Sequence, residues 1–113
     1  MAWTMELLPE AEAELLALPA DVRAHFLHVR RLLLEFGPQQ VGMPYVRPVH
    51  GKLWEMRLRG RDGIARALYV ARSGQRLLVL HVFVKKTDKT PRRAIETALQ
   101  RLRRVDDEQD PQT

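Results

Sequence analysis

The cationic side chains after the last predicted strand are the residues best suited to chemistry. An apolar run over residues 77–84 passes directly into KKTDKTPRRA, in which Asp88 is the one acid. Arg92 and Arg93 fall in the first turn of the predicted last helix, where the helix dipole disfavours each cation by about 0.3–1 kcal/mol. Phosphate groups bind well at helix N-termini and next to lysines. Taken alone, this segment fits a phosphate site and a hydrated basic turn equally well.

Basic residues are concentrated in the middle of the chain. Residues 1–46 contain three Lys or Arg and six acids, residues 47–104 contain sixteen and four, and residues 105–113 contain four acids. The net charges of these blocks are −3, +12 and −4, which give the whole chain its +5. Solvated surfaces usually mix the two signs, so the middle block predicts a binding surface for a polyanion. The alternative, an arginine-rich compositional bias, does not explain the acidic first block.

Composition limits the class of protein. A chain of 113 residues with 45% hydrophobic residues is typical of one globular domain. The chain has no cysteine, which excludes disulfides and thiolate metal sites and fits a reducing compartment. No apolar run reaches the ~20 residues of a membrane span. The N-terminal residues are acidic where a signal peptide is basic. We therefore expect a cytoplasmic protein that does not bind membranes.

The N-terminal third predicts a short strand and two helices. Residues 3–8 favour a strand, and Pro9 suits the first position of a helix that Pro19 ends. Asp21 is the predicted N-cap of a second helix, which ends at Gly37. Apolar residues recur on one face of this helix at spacings of three and four: Val22, Phe26, Val29, Leu33 and Phe36. The two helices therefore form a hairpin with one apolar side.

Three strands and a last helix follow. Residues 37–51 are rich in Pro and Gly without periodicity, so they predict an irregular loop. Segments 53–59, 64–71 and 76–84 read as strands, and their short connections join only antiparallel neighbours. In the first strand three charged residues share one face: Glu55, Arg57 and Arg59. Together with Arg66 on the next strand, these arginines favour the phosphate site over the hydrated turn.

The C-terminal part predicts a helix and a tail. The helix covers residues 91–104, with Thr90 as N-cap and Pro91 at the first helical position. Residues 105–113, VDDEQDPQT, predict an acidic, disordered tail outside a single domain of residues 1–104. The fold class is therefore α+β.

These motifs carry a resemblance to a known family. The combination of KLWEMR, ARALYV and VFVKKTDKTP in this order resembles the RelE/ParE toxin superfamily, and most of all the HigB-like, phage-derived branch of type II toxin–antitoxin toxins. The resemblance implies an N-terminal helical hairpin packed on a twisted, mainly antiparallel sheet with a C-terminal helix. It also implies a ribosome-dependent endoribonuclease that cuts mRNA, and a cognate antitoxin, expected to be of the helix-turn-helix type.

The implied reaction uses the 2′-OH of RNA as its nucleophile and needs no metal or other cofactor. It requires a base, a cation for the charge on the phosphorane, and an acid for the 5′-oxygen. The resemblance places the phosphate-binding arginine at Arg66 and a basic residue at Arg57, and the candidate catalytic set is Glu55, Arg57, Arg66 and Lys86. The candidate residues for binding RNA or the ribosome are Lys52, Arg59, Arg61, Lys85, Lys89, Arg92 and Arg93.

Several side chains are candidates for the two proton transfers. Many relatives carry a Tyr or His near the final helix, whereas this chain reads KTDKTPRRA there. Glu55 is a candidate base, and Lys86 or Arg57 a candidate donor. Two other functions are compatible with the sequence: a toxin of this fold that inhibits DNA gyrase, and a non-catalytic basic module that binds RNA or DNA.

The aromatic and histidine residues give weaker signals. His25 and His28 are three apart on a helix, but no third ligand lies near them in the sequence, so we predict no metal site. His81 is expected to be a hydrogen-bonded imidazole in the core, and Tyr69 a core residue. His50 fits contact with RNA and no role equally well.

Overall fold

The computed structural model of the protein describes residues 2–86 and 89–109. In chain order the elements are β1 (Thr4–Leu7), α1 (Pro9–Leu16), α2 (Ala20–Phe36), β2 (Val46–His50), β3 (Leu53–Gly60), β4 (Gly63–Arg72), β5 (Arg76–Lys85) and α3 (Arg92–Gln109). Within the two described ranges, no helix is long and apolar enough to cross a membrane.

The described strands form one sheet in the order β1-β5-β4-β3-β2. β1 runs parallel to β5, and every other neighbouring pair is antiparallel. The three strands that the sequence predicted, now β3, β4 and β5, are therefore antiparallel neighbours as expected. The predicted α+β fold of a hairpin, a mainly antiparallel sheet and a C-terminal helix is confirmed.

The helical hairpin of α1 and α2 covers one face of the sheet. Val22, Phe26, Val29 and Leu33 of α2 are buried against Met56 and Leu58 of β3 and their neighbours on the same face. Tyr69 belongs to this core and is 1% exposed, as the sequence predicted. The periodic apolar stripe of α2 thus supplies most of the cover, as burial of an amphipathic face requires.

Helix α3 covers only part of the opposite face. Its buried residues Ala94, Ala98 and Val105 pack against the apolar residues of the sheet on this side: Leu53, Leu68, Val70, Leu78 and Leu80. Farther along this face lies its charged end, which is formed by Glu55, Arg57 and Arg59 on β3 and by Ile64 and Arg66 on β4. This α3 face is therefore half core and half charged surface.

A β-bulge in β5 changes which residues face α3. Leu68 pairs with His81 and Tyr69 pairs with Val79, so Leu80 has no partner in the ladder. Before the bulge the even-numbered residues face α3, and after it the odd-numbered residues do, because a bulge inserts one residue. Lys85, opposite Ile64, consequently lies on the charged end of the α3 face.

Two segments have a different secondary structure from the one predicted. Residues 46–50, assigned to an irregular loop, form the edge strand β2, and Pro48 is accommodated because an edge strand needs fewer ladder hydrogen bonds. The tail predicted to be disordered from residue 105 is helical up to Gln109, since Val105 is buried and Asp106 pairs with Arg72 at 2.8 Å. The remaining residues of that tail, 110–113, lie outside the described ranges.

A side chain in the N-terminal turn of α2 binds the backbone of the β3–β4 turn. Asp21 is not the N-cap that the sequence predicted, because α2 begins at Ala20 after Pro19. Its carboxylate instead accepts hydrogen bonds from the backbone N–H groups of Val22 and Arg61. A Cβ on Gly60 would lie 2.4 Å from Cγ2 of Val22, so only glycine permits this approach. α2 thereby fixes the end of the sheet from which the charged side chains project.

Candidate functional site

The carboxylate of Glu55 is the centre of the charged end of the α3 face. Glu55 is fully buried on β3. Arg47 on β2 lies opposite it and donates from Nε to Oε2 at 2.6 Å. The Thr90 hydroxyl, just before α3, donates to Oε1 at 2.6 Å. Both carboxylate oxygens are therefore occupied by groups from different elements.

Two further arginines lie beside the same carboxylate. Arg57 and Arg66 are directly opposite each other on β3 and β4. Nη1 of Arg57 is 3.7 Å and Nε of Arg66 is 3.5 Å from Oε2 of Glu55. The sequence therefore grouped Glu55, Arg57 and Arg66 correctly in space, which leaves their catalytic roles as a proposal.

The site contains two buried cationic side chains with unused donors. Arg66 and Lys85 are each 4% exposed. Nη1 of Arg66 donates to the carbonyl of Ala65 at 2.9 Å, but Nε has no hydrogen-bond partner among the described residues. Nζ of Lys85 likewise has none within that part of the chain. Buried charged donors are normally satisfied, so this arrangement is energetically costly unless an anion completes it.

The electrostatics of the site follow from this crowding. Burial lowers the pKa of the Lys85 amine, and the positive charge of Arg66 lowers it further. Burial alone would raise the pKa of Glu55, but the hydrogen bonds from Thr90 and Arg47 outweigh it and hold the pKa below the ordinary 4.5. Glu55 is therefore a firmly ionised counter-ion and a weaker base than an ordinary carboxylate.

A cleft of about 490 Å³ opens over this site. It is lined by Arg47, Arg57, Arg59, Gly60, Ile64 and Arg66. With Lys85, which pairs with Ile64, the described residues in and beside the cleft include five cationic side chains and the one carboxylate of Glu55. The resulting excess of four positive charges is suited to binding phosphodiester groups and to stabilising charge that develops on one.

The other predicted binding residues are spread more widely. Arg61 is exposed in the turn beyond the cleft, and Lys86 is exposed immediately after β5. Lys52 lies at the opposite end of β3, where it lines an apolar pocket with Trp54 and Tyr69. The structure therefore does not bring Lys52 to the Glu55 site.

The basic residues around the start of α3 also lie outside the contacts of Glu55. Lys89 is exposed in the segment before α3. Arg92 is exposed and pairs with Glu96 at 3.6 Å. Arg93 lines a separate cleft of about 500 Å³ with His81, Phe83 and Arg101. The first turn of α3 thus extends the basic surface but does not contribute to the contacts of Glu55.

Sequence reasoning missed two residues of the site. Arg47 was placed in an irregular loop, although its position before Pro48 favours extended backbone. Thr90 was assigned as the N-cap of a helix starting at Pro91, but α3 begins at Arg92 and the hydroxyl donates to Glu55. The register of β2 on β3 brings Arg47 to Glu55, and the packing of the segment before α3 brings Thr90 there.

A second charged cluster lies on the other side of α3. Nη1 and Nη2 of Arg101 donate to the two carboxylate oxygens of Glu14 at 3.0 Å. The ring of His81 lies 3.0 Å from Oε1 of Glu14, and the backbone N–H of Val82 donates to the same oxygen. His81 is hydrogen-bonded, as the sequence predicted, in a cluster that ties α1, β5 and α3 together.

His25 of α2 contacts the backbone of β3 beside the site. Nδ1 of His25 accepts a hydrogen bond from the backbone N–H of Arg59 at 3.0 Å. Burial, together with the nearby His28 and Arg59, lowers the pKa of His25 and so favours the neutral ring that this bond requires. His25 therefore helps Asp21 to fix the end of β3.

Comparison with solved structures identifies the fold. The chain is similar to a chain of the toxin–antitoxin complex RelBE2 from Mycobacterium tuberculosis, with a TM-score of 0.55 and 16% identity over 75% of this chain and 100% of that one. It is also similar to a chain of the archaeal RelE–RelB complex from Pyrococcus horikoshii OT3, with a TM-score of 0.56 and 20% identity over 74% and 96% of the two chains. The protein has a RelE-like fold.

The sequence itself identifies the family. The family described as phage derived protein Gp49-like (DUF891) matches residues 13–103, and the chain belongs to this family. The match includes α2, all strands from β2 to β5 and most of α3. None of the curated proteins matches the chain by sequence.

Proposed function

We propose that the protein is the toxin of a type II toxin–antitoxin system and cleaves mRNA on the ribosome. The observation that carries this proposal is the excess of four positive charges around Glu55, in a cleft on a RelE-like sheet. Membership of the phage-derived Gp49-like family supports it. The site of action would be the cytoplasm, where ribosomes translate mRNA.

The cleavage reaction uses the RNA's own 2′-OH. Its oxygen attacks the adjacent phosphorus while the bond from phosphorus to the 5′-oxygen breaks, which leaves a 2′,3′-cyclic phosphate and a 5′-OH. Negative charge builds up on the phosphorane, and the guanidinium groups of Arg57 and Arg66 stabilise it. Glu55 holds these arginines in place as their counter-ion. No metal ion takes part.

The basic surface beyond the cleft binds the RNA and ribosome backbone. Arg59 lines the cleft, and the other exposed cations of this surface are Arg61, Lys86, Lys89, Arg92 and Arg93. Each phosphate that such a cation neutralises releases counter-ions, so binding weakens as salt rises.

The direct test is to map mRNA ends after brief induction of the protein, and then on purified ribosomes programmed with one mRNA. We expect new ends within translated codons that carry a 2′,3′-cyclic or 3′-phosphate, and none with the Arg66→Ala protein. Growth arrest with intact mRNA, and with DNA gyrase trapped on cleaved DNA, would show instead that this chain is a gyrase inhibitor.

A toxin of this kind needs a partner that neutralises it. We propose a cognate antitoxin of the helix-turn-helix type that presents acidic residues to the cleft around Glu55. A small protein encoded next to this one is the first candidate. Co-purification of the two, with ribosome binding lost in the complex, supports the proposal, whereas toxicity unaffected by co-expression contradicts it.

A further inference from the structure

Lys85 has no role in the reaction as described above, although it is the most unusual charged residue of the site. Its side chain is 4% exposed, and Nζ has no hydrogen-bond partner among the described residues. A buried ammonium group without an acceptor costs several kcal/mol. An apolar side chain of similar length would avoid that cost, so packing alone does not account for a lysine here.

The backbone directs Lys85 into the site. The bulge at Leu80 shifts β5 by one residue, which places Lys85 rather than Lys86 on the α3 face. Lys85 then continues a cross-strand row from Arg59 through Ile64, and both of these residues line the cleft. The adjacent row contains Arg57 and Arg66.

We propose that Lys85 is the general acid that protonates the leaving 5′-oxygen, an inference that rests on the proposed RNA cleavage. The other groups of the site fit this task less well. Arginine does not release its proton in proteins, so Arg47, Arg57 and Arg66 serve only as fixed charges. Glu55 is ionised and both of its oxygens already accept hydrogen bonds. Lys86 is exposed after the end of β5.

The step balances with Lys85 as the donor. The 2′-oxygen forms a bond to phosphorus and loses its proton to water. The bond from phosphorus to the 5′-oxygen breaks, and its electron pair remains on that oxygen, which takes a proton from the Lys85 ammonium. The neutral amine then regains a proton from solvent. No oxidant, reductant or metal is involved.

The surroundings of Lys85 favour the release of that proton. The charged groups around it are Arg66 on β4, Glu55 and Arg57 on β3, and Arg47 on β2. Burial and the arginines lower the pKa of Lys85, and Glu55 opposes this only in part. A donor whose pKa is closer to the working pH transfers its proton more readily. Since the protonated form is the active one, cleavage should decline as pH rises through a value below the ordinary 10.5.

Lys85→Arg is the most informative variant, because it keeps the positive charge but cannot release a proton. We expect cleavage on ribosomes to fall by about 10²–10⁴-fold while ribosome affinity stays within about twofold. The decline at high pH should disappear from the profile of the residual activity. Lys86→Arg, the matched substitution at the next residue, tests the alternative donor. It should keep the decline at high pH, because Lys86 is exposed after the end of β5.

A chemical variant can move the pKa without removing the amine. The natural chain has no cysteine, so Lys85→Cys introduces a unique thiol that can be aminoethylated in denaturant before refolding. The resulting side chain is isosteric with lysine but less basic. Cleavage should return to within about tenfold of wild type, with its high-pH decline moved to lower pH. Ser73→Cys, in the exposed β4–β5 turn and treated identically, controls for the chemistry.

The outcomes separate the two proposals. Wild-type protein that cleaves mRNA, with Lys85→Arg equally active and unchanged in its pH profile, would overturn the role of Lys85 alone. Loss of the high-pH decline in Lys86→Arg instead of in Lys85→Arg would do the same. Wild-type protein that binds ribosomes but never cleaves RNA would overturn the proposed function, and the role of Lys85 with it. Two results together would establish the role of Lys85. The decline of cleavage at high pH should be absent from Lys85→Arg, and it should occur at lower pH in the aminoethylated Lys85→Cys protein.

Discussion

Two clusters beside α3 each combine carboxylate and cationic side chains, yet they differ in how their charges are paired. The Glu55 cluster comprises Arg47, Glu55, Arg57, Arg59, Arg66, Lys85 and Thr90. The Glu14 cluster comprises Glu10, Glu14, His81, Arg101 and Arg104. Both join elements that are far apart in sequence, and both contain carboxylates with lowered pKa values.

The difference lies in unused hydrogen-bonding capacity. In the Glu14 cluster, Arg101 donates to both oxygens of Glu14 and to the carbonyl of Leu80, and Arg104 donates to both oxygens of Glu10. In the Glu55 cluster, Arg66 and Lys85 retain donors without a partner among the described residues. A paired cluster fastens helices to a sheet, whereas a cluster with surplus cations is prepared for an anion from outside. The number of arginines alone does not distinguish the two.

The largest effect should come from removing the counter-ion of the Glu55 cluster. Glu55→Gln leaves several buried guanidinium groups close together without a negative charge. Breaking a buried charged cluster in this way typically costs about 3–5 kcal/mol. Urea unfolding of the variant and the wild type measures this decrease in the free energy of unfolding. Glu12→Gln, an exposed substitution on α1, is the matched control. A loss below about 1 kcal/mol would mean that Glu55 does not organise the cluster.

Removing one cation from each cluster should give opposite results. Arg66→Ala should lower the cleavage rate by about 10²–10³-fold, equivalent to about 2.7–4 kcal/mol, because a preorganised charge is lost from the transition state. Arg101→Ala removes the same charge from the Glu14 cluster and should reduce stability while the rate per folded molecule stays unchanged. Single-turnover cleavage on ribosomes, corrected for the folded fraction, measures both. Equal losses of rate in the two variants would contradict the distinction between the clusters.

Local patterns were sufficient to predict most of the fold from sequence. The apolar spacing of α2 and the alternation in β3 each depend on neighbouring residues only, and both predictions hold in the structure. β2 was missed because its signal is short and contains Pro48, which is tolerated only at an edge. The helical residues 105–109 were missed because their support is tertiary, through buried Val105 and the pairing of Asp106 with Arg72.

The site was predictable only where it lies on regular strands. Glu55, Arg57 and Arg66 follow from strand alternation and pairing. Lys85 was placed among the binding residues and Lys86 among the catalytic ones, yet the bulge at Leu80 directs Lys85 to the site. A bulge depends on how two strands pair, so the sequence of β5 alone does not reveal it. Thr90 was missed for a related reason, since its partner is 35 residues away.

In the Glu14 cluster, Glu14→Gln should destabilise the protein without affecting the reaction. The change weakens the hydrogen bonds from Arg101 and from the backbone of Val82, which cap the free edge of β5 beyond β1. Hydrogen bonds to charged groups contribute about 1.5–3 kcal/mol, so we expect a loss in that range. Thermal and urea unfolding measure the loss. A marked fall in cleavage by protein that remains folded would indicate that the two clusters act together.

Salt dependence sharpens the comparison for binding. Arg59 is exposed and lines the cleft, so Arg59→Gln should reduce the slope of log affinity against log salt by about 0.7–0.9 if it contacts one phosphate. Arg104 is paired with Glu10, and Arg104→Gln should leave the slope unchanged. Ribosome binding measured between low and moderate salt tests both. An equal decrease in the two variants would mean that the basic footprint extends around α3.

The smallest expected effect is a difference in acid stability at the Glu10–Arg104 pair. The hydrogen bond from Arg104 lowers the pKa of Glu10 from 4.5 to about 2, so the folded state releases this proton more readily than the unfolded chain. The stabilisation is therefore complete above pH 4.5 and is lost as pH falls from 4.5 towards 2. Glu10→Gln should unfold with a shallower pH dependence over that interval than the wild type. Because the pair is partly exposed, added salt should reduce the difference further. An identical pH dependence for Glu10→Gln and wild type at low salt would show that the Glu10–Arg104 pair does not help to hold α3 against α1.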